Sequence, residues 1–232
     1  MKILCIADET DPLIYSKNLA SRYGYVDLVV SAGDLPLKYY EYVISVLNKP
    51  LYFVFGNHNL EFLTQFTSHA NTINQYGYAD GKGMMQFLPA FGGDYTDGKV
   101  VYDKKRNLII AGLGGSMQYN KGRHQFTEKE MFWRMCKMIP HLLWNKVFHG
   151  RYVDILLTHA PPLGINDDVD RCHRGFSTFL AFMDWFKPKY LLHGHVHLID
   201  SNANRYGVYK QTKVINVFQS FILDDPSLGK DL

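Results

Sequence analysis

The sequence predicts an α/β protein. Three observations carry this: short, continuously apolar runs recur along the chain, helical patterns lie between them, and nearly every run ends in Asp, Asn or His. Runs that are apolar throughout, rather than alternating, mark strands covered on both faces. Strand, helix and strand in succession predict layered packing. With 232 residues, 47% of them hydrophobic, the chain has material for one sizeable core and is expected to form a single domain over residues 1–232.

Ile3 to Ala7 reads as the first strand, Leu28 to Ala32 as the second and Leu51 to Phe55 as the third. Leu108 to Ala111, Ile155 to Thr158, Tyr190 to His193 and Val214 to Val217 follow. Lys38 to Leu47 has a helical pattern. Thr127 with Glu130 is a capping box, opening a helix that carries Met131, Met135 and Met138. Pro140 is expected to kink or end it. Ser177 is expected to cap a further helix running to about Phe186, stopped by Pro188. Gly77 to Gly98, rich in Gly, Asp and Tyr, reads as loop with a short hairpin.

The formal charge of +3 and pI of about 8.6 are too weakly basic to argue for nucleic acid or an acidic membrane. No apolar stretch approaches the roughly 20 residues that span a bilayer. The first apolar run is short and meets acids at once, so it reads as a strand and not as a signal peptide. Cys5, Cys136 and Cys172 are scattered and odd in number, which fits a reducing cytoplasm better than a disulfide framework or a zinc site.

The polar residues fall where the strands end. The first strand leads to Asp8, the second to Gly33-Asp34 and the third to Gly56-Asn57-His58. Thr158-His159-Ala-Pro-Pro and Gly194-His195-Val196-His197 complete the set. In an open α/β sheet, ligands bind beyond the carboxyl ends of the strands, so residues distant in sequence can meet there. Glycine beforehand lets the backbone approach an ion closely. His195 and His197 share a face if their segment stays extended. Carboxylates, imidazoles and an amide suit manganese, iron, zinc or cobalt better than calcium. Taken singly, an Asp after a strand is usually a turn or cap; the ordered set in one chain carries the argument.

These motifs resemble those of the calcineurin-like metallophosphoesterases: DxH, GDxx, GNH followed by an acid, a later His before a small residue and prolines, and GHxH. The resemblance runs from Asp8 to His197. It implies a four-layer sandwich of two β-sheets flanked by helices, and two divalent transition-metal ions (Mn, Fe or Zn). Asp34 would bridge them, Asp8 and His197 would complete one site, and Asn57, His159 and His195 the other. A metal-bridged hydroxide would attack a phosphomonoester or phosphodiester. His58 would act on the substrate phosphate as general acid or charge stabiliser, so that His58 and Asp34 are the expected catalytic residues.

The chain departs from that pattern. Thr10 stands where the family carries a histidine, and a hydroxyl is a poorer ligand, so one metal site is expected to be weaker unless Asp11 contributes. Asn59 replaces the acid after GNH, and Leu37 lies where protein Ser/Thr phosphatases place an Asp, which excludes that type. Glu61 is a candidate for orienting His58, although it reads more simply as a first-turn helix acid.

Further polar residues read mainly as solvated loop: Asp167, Asp168, Asp170, Arg171, His173 and Arg174 in one loop, and Arg123 with His124 in another. Arg171, His173 and Arg123 are the candidates for contacting the rest of the substrate. Gly112 to Ser116 reads as a tight turn beside the site, fitting no phosphate-loop pattern. Phe126, Phe132, Trp133 and Trp144 are expected to pack as core. His69, His141, His149 and His193 read most simply as surface or structural, with a support role behind the ligands as the alternative for His193. The expected partner is a small phosphorylated substrate, a nucleotide among the candidates; a membrane is not expected and nucleic acid is disfavoured. The competing reading is a catalytically weak or inactive member acting as a binding or scaffold module, motivated by Thr10.

Overall fold

The structure is a computed structural model that describes residues 1–67, 78–79, 85–86, 92–198 and 204–230. In chain order the first half holds β1 (Lys2–Ala7), α1 (Leu19–Tyr23), β2 (Leu28–Ser31), α2 (Leu37–Leu47), β3 (Leu51–Phe53), α3 (Leu63–Thr67), β4 (Tyr78–Ala79), β5 (Met85–Gln86), β6 (Asp94–Tyr95) and β7 (Val100–Asp103). The second half holds β8 (Leu108–Leu113), β9 (Ser116–Met117), β10 (Gln125–Phe126), α4 (Glu128–His149), β11 (Ile155–Thr158), α5 (Ser177–Phe186), β12 (Tyr190–His193), β13 (Tyr206–Tyr209), β14 (Thr212–Asn216) and β15 (Gln219–Asp224). Among the described residues no helix is long and apolar enough to cross a membrane.

Two sheets face each other. One runs β15-β1-β2-β3-β6 and the other β13-β14-β12-β11-β8-β7; β15, β13 and β7 are antiparallel edge strands, and the other pairings, β6 on β3 included, are parallel. Side-chain alternation builds the layers. Ile3, Cys5, Ala7 and Val30 point inward against Ile110, Leu157, Leu192 and Ile215 of the second sheet. Leu4, Ile6, Val29 and Phe53 point outward under Tyr39, Tyr40 and Val43 of α2. Ile109, Leu156 and Leu191 point outward under α4 and α5. This is the four-layer sandwich, and it explains why the strand runs are apolar on every residue. The two-residue step from β14 to β15 carries the chain from one sheet to the other, where β15 closes the edge beside β1.

Helix α4 runs through Pro140 and does not stop there. Proline costs a helix interior about 3 kcal/mol, but Pro140 lies on the exposed side, and Met135, Met138 and Leu142 anchor the turns around it in the core. The same stripe corrects the aromatic expectation. Phe132, Trp133 and Trp144 fall off the Met131, Met135, Met138, Leu142 face and are exposed, and only Phe126 packs against the core. Ser177 is not the cap of α5; the cap position is Phe176. The Glu128 carboxylate accepts from the backbone N–H groups of Ser177 (2.6 Å) and Thr178 (3.2 Å). Of the Gly77 to Gly98 segment, the described part holds the β4–β5 hairpin and β6; the rest, like His69, lies outside the described residues.

Candidate metal centre

The carboxyl ends of β1, β2, β3, β11 and β12 meet at one edge of the sandwich. Asp34, Asn57, His159 and His195 are all buried there. Nε2 of His159 lies 3.2 Å from an Asp34 carboxylate oxygen and 3.1 Å from Oδ1 of Asn57. The His159 and His195 rings are 4.7 Å apart. Metal-binding atoms of Asp34, His159 and His195 lie within 4.8 Å of one another. Asp8 adjoins them, 3.9 Å from His159 Nδ1, and its carboxylate accepts the His195 backbone N–H.

The backbone is shaped for this. Asp8, Asp34 and His195 all adopt positive φ (66°, 56° and 69°), a conformation that costs most side chains about 1–3 kcal/mol and clusters at functional sites. A methyl on Gly56 would collide with the Asp34 carboxylate and the His159 ring, and one on Gly194 with the Asp8 carboxylate.

Hydrogen bonds fix which ring nitrogens face the centre. His159 Nδ1 lies 2.8 Å from the Ala32 carbonyl, which only accepts, so Nδ1 carries the proton and Nε2 points at Asp34 and Asn57. His195 Nε2 lies 2.7 Å from the Cys172 carbonyl, leaving Nδ1 free. Asn57 Nδ2 donates to the Tyr119 hydroxyl at 3.3 Å, which turns Oδ1 toward His159. His159 Nε2, the Asp34 carboxylate and the Asn57 carbonyl are thus three potential ligand atoms brought together at one place. A proton on Nε2 satisfies them in the metal-free centre, and a divalent transition metal, which suits a mixed N/O set of this kind, would take its place.

The electrostatics agree. Burial disfavours the imidazolium of His159, but Asp34 and then Asp8 overcome it and raise the pKa to about 9. Burial likewise opposes ionisation of Asp34, yet His159 and the His58 N–H (2.8 Å) bring it down to about 2. Burial dominates at Asp8, raised to about 7, since its partner's positive charge sits nearer Asp34. Burial and the His159 charge push His195 down to about 3, keeping it neutral as a ligand must be.

The remaining predicted residues divide. His58 is exposed, and its backbone N–H donates to Asp34 at 2.8 Å. His173 lies 5.2 Å from the His195 ring and is paired with Asp170 at 2.7 Å. Arg171 and Arg123 are on neighbouring loops near the surface. The Gly194–His197 segment does not stay extended: it bends at His195, and His197 sits half-exposed, 4.9 Å from the Phe218 ring and 4.0 Å from Glu9. Thr10 is exposed, and Asp11 is tied to the Leu13 N–H (2.8 Å) and the Ser220 hydroxyl. His193 is buried, with Nε2 3.3 Å from Asn166 Nδ2 and Nδ1 2.9 Å from the Gly194 carbonyl.

Sequence reasoning missed several supports. Asn59 donates to the Asp34 backbone carbonyl at 2.9 Å, where the usual acid could not. His124 Nδ1 lies 2.7 Å from the Gly56 carbonyl, and behind it Asp97 bonds Arg134 and the Gly114 N–H. Burial alone would raise the Asp97 carboxyl, but Arg134, His124 and Gly114 hold it well below the usual range. The expected Gly112 to Ser116 turn is shorter: Gly112 and Leu113 end β8, Ser116 opens β9, and only Gly114 and Gly115 link them, with the Gly115 N–H on the Phe55 carbonyl at 2.9 Å. His124 was visible as a polar loop residue; nothing in the sequence marks Asp97 or Tyr119.

The sequence profile of the calcineurin-like phosphoesterases matches residues 1–198, and the chain belongs to that family. Most of its members are metal-dependent hydrolases of phosphoester bonds. The fold is similar to that of the protein TT1561 of Thermus thermophilus, with TM-score 0.56 and 12% identity over 94% of this chain and 88% of that one. A second solved structure superposes with TM-score 0.60 and 13% identity over 96% of this chain and 94% of the other. At such identities the likeness concerns the fold. No curated protein matches the sequence at a significant level.

Proposed function

We propose that residues 1–232 work as one metal-dependent phosphoesterase domain that hydrolyses a phosphomonoester or phosphodiester of a small molecule, a nucleotide among the candidates. The observation that carries the reading is the buried meeting of three potential ligand atoms, from Asp34, Asn57 and His159. In this reading Asp34, Asn57, His159 and His195 hold one ion. Asp8, the shared Asp34 and His197 hold a second, with Mn, Fe or Zn as the metals. When bound, such ions supply Lewis acidity toward phosphoryl oxygens and water.

The chain's own groups supply the rest. The Ala32 and Cys172 carbonyls hold the His159 and His195 rings in the ligating tautomers. His58, exposed one residue beyond Asn57, meets the phosphate and stabilises charge or gives a proton to the leaving oxygen. His173, Arg171 and Arg123 contact the rest of the substrate. The second metal position is the weaker one. Thr10 points to solvent, Asp11 is spent on Leu13 and Ser220, and His197 stands at the surface. Three free cysteines support a reducing compartment, the cytoplasm.

Assay of p-nitrophenyl phosphate and bis-p-nitrophenyl phosphate with manganese, iron, zinc and cobalt tests the proposal. Turnover with at least one metal, and elemental analysis showing one tight and one weak ion, are expected. Folded protein with no turnover under any of them would overturn it.

A further inference from the structure

A pocket of about 280 Å³ is lined by Met117, Gln118, Glu128, Leu163, Arg171 and Arg174 among others. Both of its walls lead to the centre. Gln118 precedes Tyr119, whose hydroxyl takes the Asn57 amide, and Arg171 precedes Cys172, whose carbonyl takes the His195 ring. Arg171 and Arg174 therefore line one cavity whose walls continue into the segments that hold Asn57 and His195.

Their charge has no internal partner. Among the described residues neither Arg171 nor Arg174 makes an ion pair or a hydrogen bond through its guanidinium. The nearby acids are engaged elsewhere. Asp167 accepts the Gly175 N–H (3.1 Å), Asp168 the Val169 N–H (2.7 Å), and Asp170 the Cys172 N–H (2.8 Å) and the His173 ring (2.7 Å). Glu128, the acid that lines the pocket, is bound by the Ser177 and Thr178 N–H groups and, at 2.8 Å, by the Thr178 hydroxyl. Two arginines in one pocket with free donor forks match a dianionic oxygen group, a phosphate above all.

We propose that this pocket is a subsite for a second phosphate, so that the substrate class is a phosphoester carrying a further phosphate group away from the scissile bond. The inference rests on the phosphoesterase reading. The reacting phosphate would sit at the metal centre, and Arg171 and Arg174 would hold the remote one, contributing to KM more than to kcat because that contact is the same in ground and transition states.

Alkanediol bisphosphates with three to six carbons, compared with alkyl monophosphates of the same length, test it by phosphate release. For at least one length the bisphosphate should show a kcat/KM at least about tenfold higher, mainly through KM, and R171Q/R174Q should lose that preference. Equal kcat/KM at every length, or a preference retained by the variant, would overturn the subsite. A second readout does not need turnover: guanidinium Nε–H resonances of Arg171 and Arg174 should shift on titration with the bisphosphate. Shifts without any ester hydrolysis would keep the subsite and sink the phosphoesterase reading. Hydrolysis with unmoved arginine signals would sink the subsite alone.

Discussion

The backbone N–H of His195 donates to both carboxylate oxygens of Asp8, at 2.9 and 3.0 Å, across 187 residues of chain. This contact joins the first strand of one sheet to the central strand of the other, at the place where the candidate ligands meet. It depends on Gly194, where a side chain would strike the Asp8 carboxylate. Gly194→Ala is therefore expected to displace Asp8 and lower manganese affinity at least about tenfold, roughly 1.4 kcal/mol. Calorimetric titration with Mn²⁺ checks this; an unchanged affinity would refute the coupling.

Metal affinity should depend steeply on pH. His159, raised to about 9 chiefly by Asp34, is protonated at neutral pH unless a metal displaces the proton. Below about 9 the proton competes, so affinity should rise about tenfold per pH unit and level off above that value. Asp8, raised to about 7 by burial, adds a second competing proton below neutrality and should steepen the slope there. Titration in buffers of different ionisation enthalpy should show about one proton released at about pH 8. Affinity independent of pH between about 7 and 9 would contradict the arrangement.

His58 should separate chemistry from metal binding. Its side chain is exposed, and its tie to the centre is through backbone to Asp34. His58→Ala is expected to lower kcat by roughly 100- to 10,000-fold while elemental analysis finds the metal content unchanged. Loss of metal in step with activity would assign it a structural role.

Asp97 and Arg134 form a largely buried ion pair behind the Asn57 loop. Removing one partner of such a pair costs about 3–5 kcal/mol, so Asp97→Asn should lower the unfolding free energy at neutral pH by that order. The folded carboxyl lies below its unfolded value of about 3.9. Its contribution is therefore present above about pH 4 and lost as pH falls through the folded value. Urea denaturation of native and variant protein should show the gap closing on acidification; a constant gap would argue that the charge is not what Asp97 contributes.

Much of the architecture was legible because burial on both faces leaves a mark on every residue of a strand, as in Ile3 to Ala7 and Ile155 to Thr158. Helix ends were less so. Thr127 caps α4 through neighbours three residues away, and that motif is local. The cap of α5 comes from Glu128, 49 residues distant from Ser177, and no local pattern encodes it. Pro140 reads as a stop, but the core contacts of Leu142 beyond it outweigh the local cost. Trp133 and Trp144 read as core by composition, while the phase of α4 turns them outward.

By itself the sequence determined the family, the strand-and-helix order and the set of candidate ligands, because ligand chemistry and strand burial are written in residue type. Only the tertiary structure decided which nitrogen of His159 and of His195 faces the centre, that His197 stands at the surface and Asp11 is bound elsewhere, and that Asp97 and His124 stand behind Asn57. Those facts depend on carbonyls and acids brought together from distant segments, and hydrogen bonding in three dimensions leaves no periodic trace along the chain.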